Sequence, residues 1–426
     1  MKKTYFSLMF TATMLLFVQI NFAQNTFTKQ VIVCSGGNIS NPNDFVTIAS
    51  YSPVTGVTTV FDTIQTQSVQ DVIIEKEFAF VAAQDSIVKF NIDTYEKIAA
   101  VEAVGVNRLL VNNDELIASF QYPVTENFVR VYSAEDLSLI SNIEEVSDES
   151  AGLLVVDELA YVAVPGGWAS TVGKIAIIDL ADYSLVEEIN FDTIGRGIVD
   201  LFYSDNKIMS VNRTPWGGSS GYISVMNRLG SHSQSHLINE YIGPMSGLIN
   251  NILYIEVNGG IGSIDLTDFS VLDTVLVQPP ALTIADVAMD TLNKLFYVTT
   301  TDFFSTGLGT IYNLDGEDIG SFEAGISPDA IAIDYRDNTG TGELFSENLI
   351  KIYPNPSSGV IIVEVIEGTY PENFRVVDIS GRSLISGFIN LKTKSSAIDI
   401  NMLENGLYFL ILSDGNKMMT SPIIKN

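Results

Sequence analysis

From about residue 28 to residue 336 the chain alternates short apolar segments, rich in Val, Ile, Tyr and Phe, with polar turns built from Gly, Asn and Asp. β-Branched and aromatic residues fit the half-buried, pleated surface of a strand, whereas Gly, Asn and Asp tolerate turn conformations. With no convincing helical stretch between them, the segments predict an all-β region. They also repeat. The stretches VKFNIDTYEKIAAV, VRVYSAEDLSLISNI, KIAIIDLADYSLVEEI and GSIDLTDFSVLDTVL each read as strand, polar turn, strand. Aligning the turn-opening residues gives Tyr51, Asn91, Ser133, Asp179, Asn227, Asp265 and Asn313, spaced 40, 42, 46, 48, 38 and 48 residues apart. Seven units of this period predict a seven-bladed β-propeller.

The physical ground for a propeller is that one four-stranded sheet of this size has two apolar faces and cannot stand alone. Radial stacking buries both faces and leaves only short, protected edges. A solenoid has shorter coils, and a string of sandwiches has no reason to keep one period through seven units. Within a unit the strands are ordered as an inner strand like DAIAID, then KLFYVTT from Lys294, GTIYNLD from Gly309 and an outer IGSFEAG from Ile319. The strand VIVCSG near Val31 either completes the last blade or opens the first. Second strands recur as FAFVAA at Phe78, LAYVAV at Leu159 and ILYIEV at Ile252, and through repeats of the form Tyr-Val followed by a hairpin and an Ile-Asp or Asn turn the region resembles YVTN-type surface propellers. The resemblance implies the fold and is silent on substrate.

After Tyr335 the polar stretch RDNTGTGELFSEN reads as a linker over 337–347, followed by a second domain over 348–426. This second domain reads as a small Ig-like β-sandwich. Its motifs are Tyr353, Pro354, Asn355 and Pro356 with Gly359; Asp378, Gly381 and Arg382; and Leu403, Gly406 and Tyr408. As folding signals, Asn355 and Pro356 make a turn, Gly381 sits in a hairpin, and Gly406 precedes LYFLIL, read as an edge-forming strand. In this order the three motifs resemble the type A C-terminal sorting domain of type IX secretion, of Bacteroidota type. The family's closely spaced terminal lysines are represented here only by Lys417 and Lys425. The resemblance implies partners in the type IX machinery and a sortase-like protease, removal of the tail within the linker, and delivery to the outer face of the outer membrane or to the medium.

The other terminus agrees with export. Lys2 and Lys3, an apolar stretch from about Leu8 to Ile20 and a small residue at Ala23 read as a signal peptide over 1–23. Gln24 stands where a lipoprotein would carry Cys, and no other apolar run is long enough to span a membrane.

Composition narrows the partners. With 51 acidic against 22 basic residues the formal charge is −29, which disfavours nucleic acid and anionic lipid. The single Cys34, following Val31, Ile32 and Val33, reads as a small apolar strand residue, so no disulfide staples the fold. A monomer is expected.

Candidate chemistry concentrates in the loops joining second to third strands, which share a face with the blade-to-blade connections. These loops, SGGNISNPND, QYPVTEN, PGGWASTVG, NRTPWGGSSG and TTDFFSTGLG, are long, whereas opposite-face hairpins such as VNNDE and YSDNK are short. They carry Tyr122, Trp168, Trp216, Phe303 and Phe304, and Arg108, Arg196 and Arg213 are expected at the same channel mouth. Aromatics beside guanidinium groups suit an anionic or planar ligand. A metal is not expected: the segment holding His232 and His236 precedes an outer strand, where a four-residue offset does not bring both rings together, and Asn313, Asp315, Glu317 and Asp318 read as a hairpin turn. No cofactor motif and no nucleophile with a base at recognisable spacing is present. The favoured reading is therefore a surface or secreted binding protein, with nutrient or small-molecule capture its most concrete form. A lactonase-like propeller hydrolase and an adhesion or matrix protein are the alternatives.

Overall fold

The computed structural model describes residues 26–166, 172–228, 230, 233–278, 281–337, 343–344, 350–365, 373–378, 383–389, 395–413 and 417–426. Every regular element among them is a strand. The chain divides into a unit spanning Phe27–Arg336 and a second formed by the C-terminal segment. The segment read as a signal peptide and most of that read as a linker lie outside the described residues.

Among the described residues the first unit holds seven four-stranded sheets, here lettered A to G. Sheets B to G are meanders whose first strands are Val69–Glu75, Val106–Asn112, Leu153–Val156, Ile198–Ser204, Ile242–Ile249 and Thr283–Asp290. Sheet A is composite: Ala330–Asp337 from the end of the unit lies beside Thr26–Ser35, Val46–Ser52 and Val57–Ile64 from its start. The strand containing VIVCSG is thus the second strand of the sheet in which both ends of the unit meet. Cys34 is fully buried there opposite Ile48, and burial holds its thiol well above the ordinary range.

Apolar cores lie between successive sheets. Ile32, Cys34 and Ile48 of sheet A pack against Val72, Ala79 and Val81 of sheet B. Cores of the same kind fill the spaces from B to C, C to D, D to E, E to F and F to G. A last core joins Tyr297 and Phe322 of sheet G to Val31 and Tyr51 of sheet A, so the series returns to its beginning in a propeller-like arrangement. Each Val or Ile buried in this way contributes about 1.5–3 kcal/mol relative to an exposed position.

The turn-opening residues explain the sequence period. Each of the seven lies at the end of a third strand or one residue to either side of it. Asn91 Oδ1 accepts hydrogen bonds from Asp93 N and Thr94 N, and Asp179, Asp265 and Asn313 accept in the same way from the second residue after them. Four residues after the opener the backbone turns left-handed at Tyr95, Leu137, Tyr183 and Phe269, with φ of 62°, 63°, 61° and 60°. Side chains at this strained position are held by packing: Tyr95 stacks on Phe61, Phe269 on His236, and Leu137 is buried. Asn313, Asp315 and Glu317 belong to one such turn, with Asn313 Oδ1 accepting from Glu317 N at 2.9 Å.

The C-terminal unit has two sheets. Ile350–Tyr353, Val360–Val365 and Ser395–Asp399 form one; 343–344, Lys417–Lys425, Gly406–Ser413, Asn373–Val377 and Ser383–Phe388, in that order, form the other. Ile361, Val363 and Ile398 share a core with Val376, Leu410, Leu412 and Ile423. One expectation is corrected here. LYFLIL does not form an edge, because Gly406–Ser413 pairs with Asn373–Val377 on one side and with Lys417–Lys425 on the other. Alternate residues Leu410 and Leu412 are fully buried, as an interior strand over a shared core requires.

Candidate binding site and sorting tail

Second-to-third connections differ sharply around the first unit. In sheets B and F they are two-residue hairpins, Gln84–Asp85 and Asn258–Gly259. Asn258 and Gly259, at φ of 51° and 81°, supply the left-handed pair that such a hairpin needs. Sheets A, C, D, E and G carry the longer loops.

The loop of sheet E, residues 213–220, builds a cavity. Buried Asn212 at its root donates through Nδ2 to Ile194 O at 3.0 Å and Ser224 Oγ at 2.7 Å, tying the loop to the connection between sheets D and E. Arg213 N donates to Gly197 O, and Thr214 N donates to Ile242 O. A turn closed by Gly218 N to Pro215 O at 2.8 Å then lifts Trp216 clear of the surface, where its side chain is fully exposed. Thr193, Ile194 and Arg196 from the connection face Arg213, Trp216 and Tyr222 across a cavity of about 330 Å³. Three expected site residues, Arg196, Arg213 and Trp216, therefore meet at one place. Arg196 Nε donates to Thr193 O at 3.0 Å, and neither guanidinium forms an ion pair among the described residues.

The other expected residues lie elsewhere. Tyr122, Phe303 and Phe304 are exposed on the loops of sheets C and G, outside the cavity. Trp168 falls outside the described residues, as does His232. Arg108 does not line the cavity; it lies in the first strand of sheet C, where its guanidinium donates to Gln70 O, and Asp200 feels both it and Arg213.

Around Arg108 is a cluster the sequence reading missed. Asp71, Asp200 and Asp286 occupy the first strands of sheets B, E and G, each at an irregularity in strand register. Each carboxylate clasps the following sheet: Asp71 Oδ2 accepts from Leu109 N, Asp200 Oδ2 from Met245 N and Asp286 Oδ2 from Ile331 N, at 2.8, 2.8 and 2.9 Å. All three are enclosed deep in the unit yet keep some access to solvent. Desolvation raises their pKa values against the opposing pull of Arg108, and Asp286 reaches about 6. For Arg108 desolvation acts downward, but the carboxylates prevail and hold it charged. The pattern Asp-Val or Asp-Leu, at 71–72, 200–201 and 286–287, was the available signal.

A pH dependence follows. Desolvation alone also lifts Asp329 to about 6. A carboxyl whose pKa is higher folded than unfolded binds more protons in the folded state, so stability rises as pH falls through 6 towards 4. Denaturant titrations are expected to give a higher unfolding free energy at pH 5 than at pH 7.5, by at most about 1.4 kcal/mol per group, since one pH unit below a pKa near 6 is worth that much. Asp93 works in the opposite sense. Burial pushes its pKa up, but Lys29 and Arg336 outweigh burial and hold it low, so its contribution disappears only in stronger acid. Asp286→Asn should flatten the slope between pH 5 and 7; an unchanged slope would assign it elsewhere.

In the C-terminal unit the motif residues have visible roles. Asn355 Nδ2 donates to Pro422 O and its Oδ1 accepts from Ile424 N, both at 2.8 Å, fastening the first motif to the last strand. A Cβ at Gly359 would stand 2.1 Å from Asn401 Oδ1. Leu403 is buried in the core, Tyr408 Oη donates to Glu404 O at 2.9 Å, and Tyr353 Oη donates to Glu364 Oε2 at 3.0 Å. Pro354, Pro356, Asp378 and Gly406 lie on the same two-sheet frame, whereas Gly381 and Arg382 fall outside the described residues.

Residues 351–426 match the family described as the secretion system C-terminal sorting domain. The chain thus ends in a type IX secretion sorting domain, which directs it to export. Among curated proteins nothing matches the chain. Among solved structures, a functionally unknown protein from Desulfotomaculum acetoxidans is 13% identical over 72% of this chain and 99% of its own, with a TM-score of 0.54. The RRP9 WD40 repeats align at 11% identity over 70% of this chain and 87% of theirs, with a TM-score of 0.48. The first of these likenesses bears on the fold alone, and the second carries no argument.

Proposed function

We propose that the chain is an exported binding protein: a closed seven-bladed propeller that captures a ligand at the cavity of Arg196, Arg213 and Trp216. The observation that carries this reading is a fully exposed Trp at a cavity with two guanidinium groups that form no ion pair among the described residues, in a chain of net charge −29. An indole held away from any neighbour forfeits its burial energy unless something covers it, and basic side chains elsewhere on this surface, such as Lys29, Lys174 and Arg336, have found carboxylates. Seven sheets with seven intervening cores support the blade number, and the meeting of both ends in sheet A supports closure. The sorting tail supports a place at the outer face of the outer membrane or in the medium, with the tail removed near 337–347 by a sortase-like protease.

The test is a thermal-shift screen of small molecules on the whole chain, repeated with Arg213→Met/Trp216→Ala. A stabilising compound is expected to lose its effect in the double variant. Equal stabilisation of both proteins would put the site elsewhere, and turnover of the compound would favour the hydrolase.

A further inference from the structure

Granting that the cavity is a binding site, we infer that it takes an acidic sugar: a pyranose carrying a carboxylate, of the uronic acid type. The charge comes first. Arg196, an exposed residue, uses Nε on Thr193 O, and its two terminal nitrogens have no ion-pair partner among the described residues. Arg213 feels Asp200 and Glu256 through space, but neither acid lines the cavity, and neither forms an ion pair with Arg213 among the described residues. Two guanidinium forks beside one another match the two oxygens of a carboxylate, which accepts paired N–H bonds in a plane.

The remaining wall chooses among carboxylates. Trp216 stands between Pro215 and the Gly217–Gly218 pair at the cavity, and its side chain is fully exposed. An indole face is the negative side of its quadrupole and attracts the weakly positive C–H hydrogens on the flat side of a sugar ring. Around it the cavity offers the hydroxyls of Thr193, Ser219, Ser220 and Tyr222, and Ile194 is its only branched aliphatic wall. A fatty or aromatic acid would demand apolar walls; a polyol finds hydrogen-bond partners here. At about 330 Å³ the space is at the small end for ligand sites and suits one or two sugar rings.

Isothermal titration of the whole chain with D-galacturonate and its trimer, galactose and its trimer, and citrate separates the possibilities. The acidic sugars are expected to bind and the neutral sugars not to. Arg213→Met and Arg196→Met should each weaken acidic-sugar binding by roughly tenfold to a hundredfold, the loss of one charge-assisted contact. Trp216→Ala should weaken it too, while all three variants keep the parent melting temperature because the side chains are exposed. Neutral sugars binding as tightly as acidic ones, with the same Trp216 dependence, would overturn the anionic assignment and leave ligand capture standing. Citrate binding as tightly as the uronate would overturn the sugar. Acidic-sugar binding that ignores all three variants would overturn the placement, and no binding by any of these probes would overturn the inference while the broader screen still tests capture.

Discussion

A chain cut after residue 350 is expected to fold its propeller-like unit and yet never reach the cell surface or the medium. Residues 351–426 carry the whole match to the sorting domain, and the division of the chain at Arg336 leaves every core of the first unit intact. Protease shaving of intact cells, followed by detection of the first unit, should find surface material with the full chain and none with the cut one. A smaller lesion probes the geometry. Asn355→Ala removes both bonds that fasten the first motif to Pro422 and Ile424, which should destabilise the tail by about 1–3 kcal/mol and lower the surface yield. Undiminished surface yield from the cut chain would show that the address lies elsewhere.

Arg108→Met is expected to be among the most damaging single substitutions in the first unit. Met matches much of the aliphatic stem but removes the only positive charge that Asp71, Asp200 and Asp286 all feel. Removing one member of a buried charge cluster leaves the others uncompensated, at a cost near 3–5 kcal/mol in a dry interior. Partial solvent access reduces that to about 2–4 kcal/mol here. The loss should be greatest at pH 7.5 and shrink towards pH 5, as Asp286 and its neighbours take up protons. Urea titrations of the parent and variant at the two pH values measure both effects. A pH-independent loss would mean that Arg108 acts through packing and its bond to Gln70 O rather than through charge.

The fold was legible in the sequence because its period is written in turns. A polar opener that accepts backbone N–H bonds must recur wherever a third strand ends, so Asn91, Asp179, Asp265 and Asn313 marked the units before any sheet was seen. The composite make-up of sheet A was less legible, since nothing in VIVCSG says which end of the chain supplies its neighbour. The interior place of LYFLIL was misread because a strand followed by a short polar turn looks the same whether or not a further strand returns beside it.

The candidate site was legible in part. Arg213 and Trp216 are close in sequence and Arg196 lies one loop away, so their meeting needs only the short tie through Asn212. Arg108 was grouped with them by expected position and charge. The three carboxylates it feels, Asp71, Asp200 and Asp286, come from three separate sheets, so no local stretch of sequence shows them together. Side-chain polarity there resembles an ordinary half-buried strand residue until the neighbours are known.

The composite sheet also sets an order of events. Thr26–Ser35 is among the first strands to be made, and its inner neighbour Ala330–Asp337 is the last of its unit. Contacts between residues so far apart form slowly, because the intervening chain must first be brought together. Sheets B to G can zip locally as they emerge, while sheet A waits, with the apolar flank of Val31 and Val33 covered only when sheet G and then Ile331 arrive. For a protein that must travel before it settles, the last latch is therefore a strand delivered only when synthesis of the unit is complete.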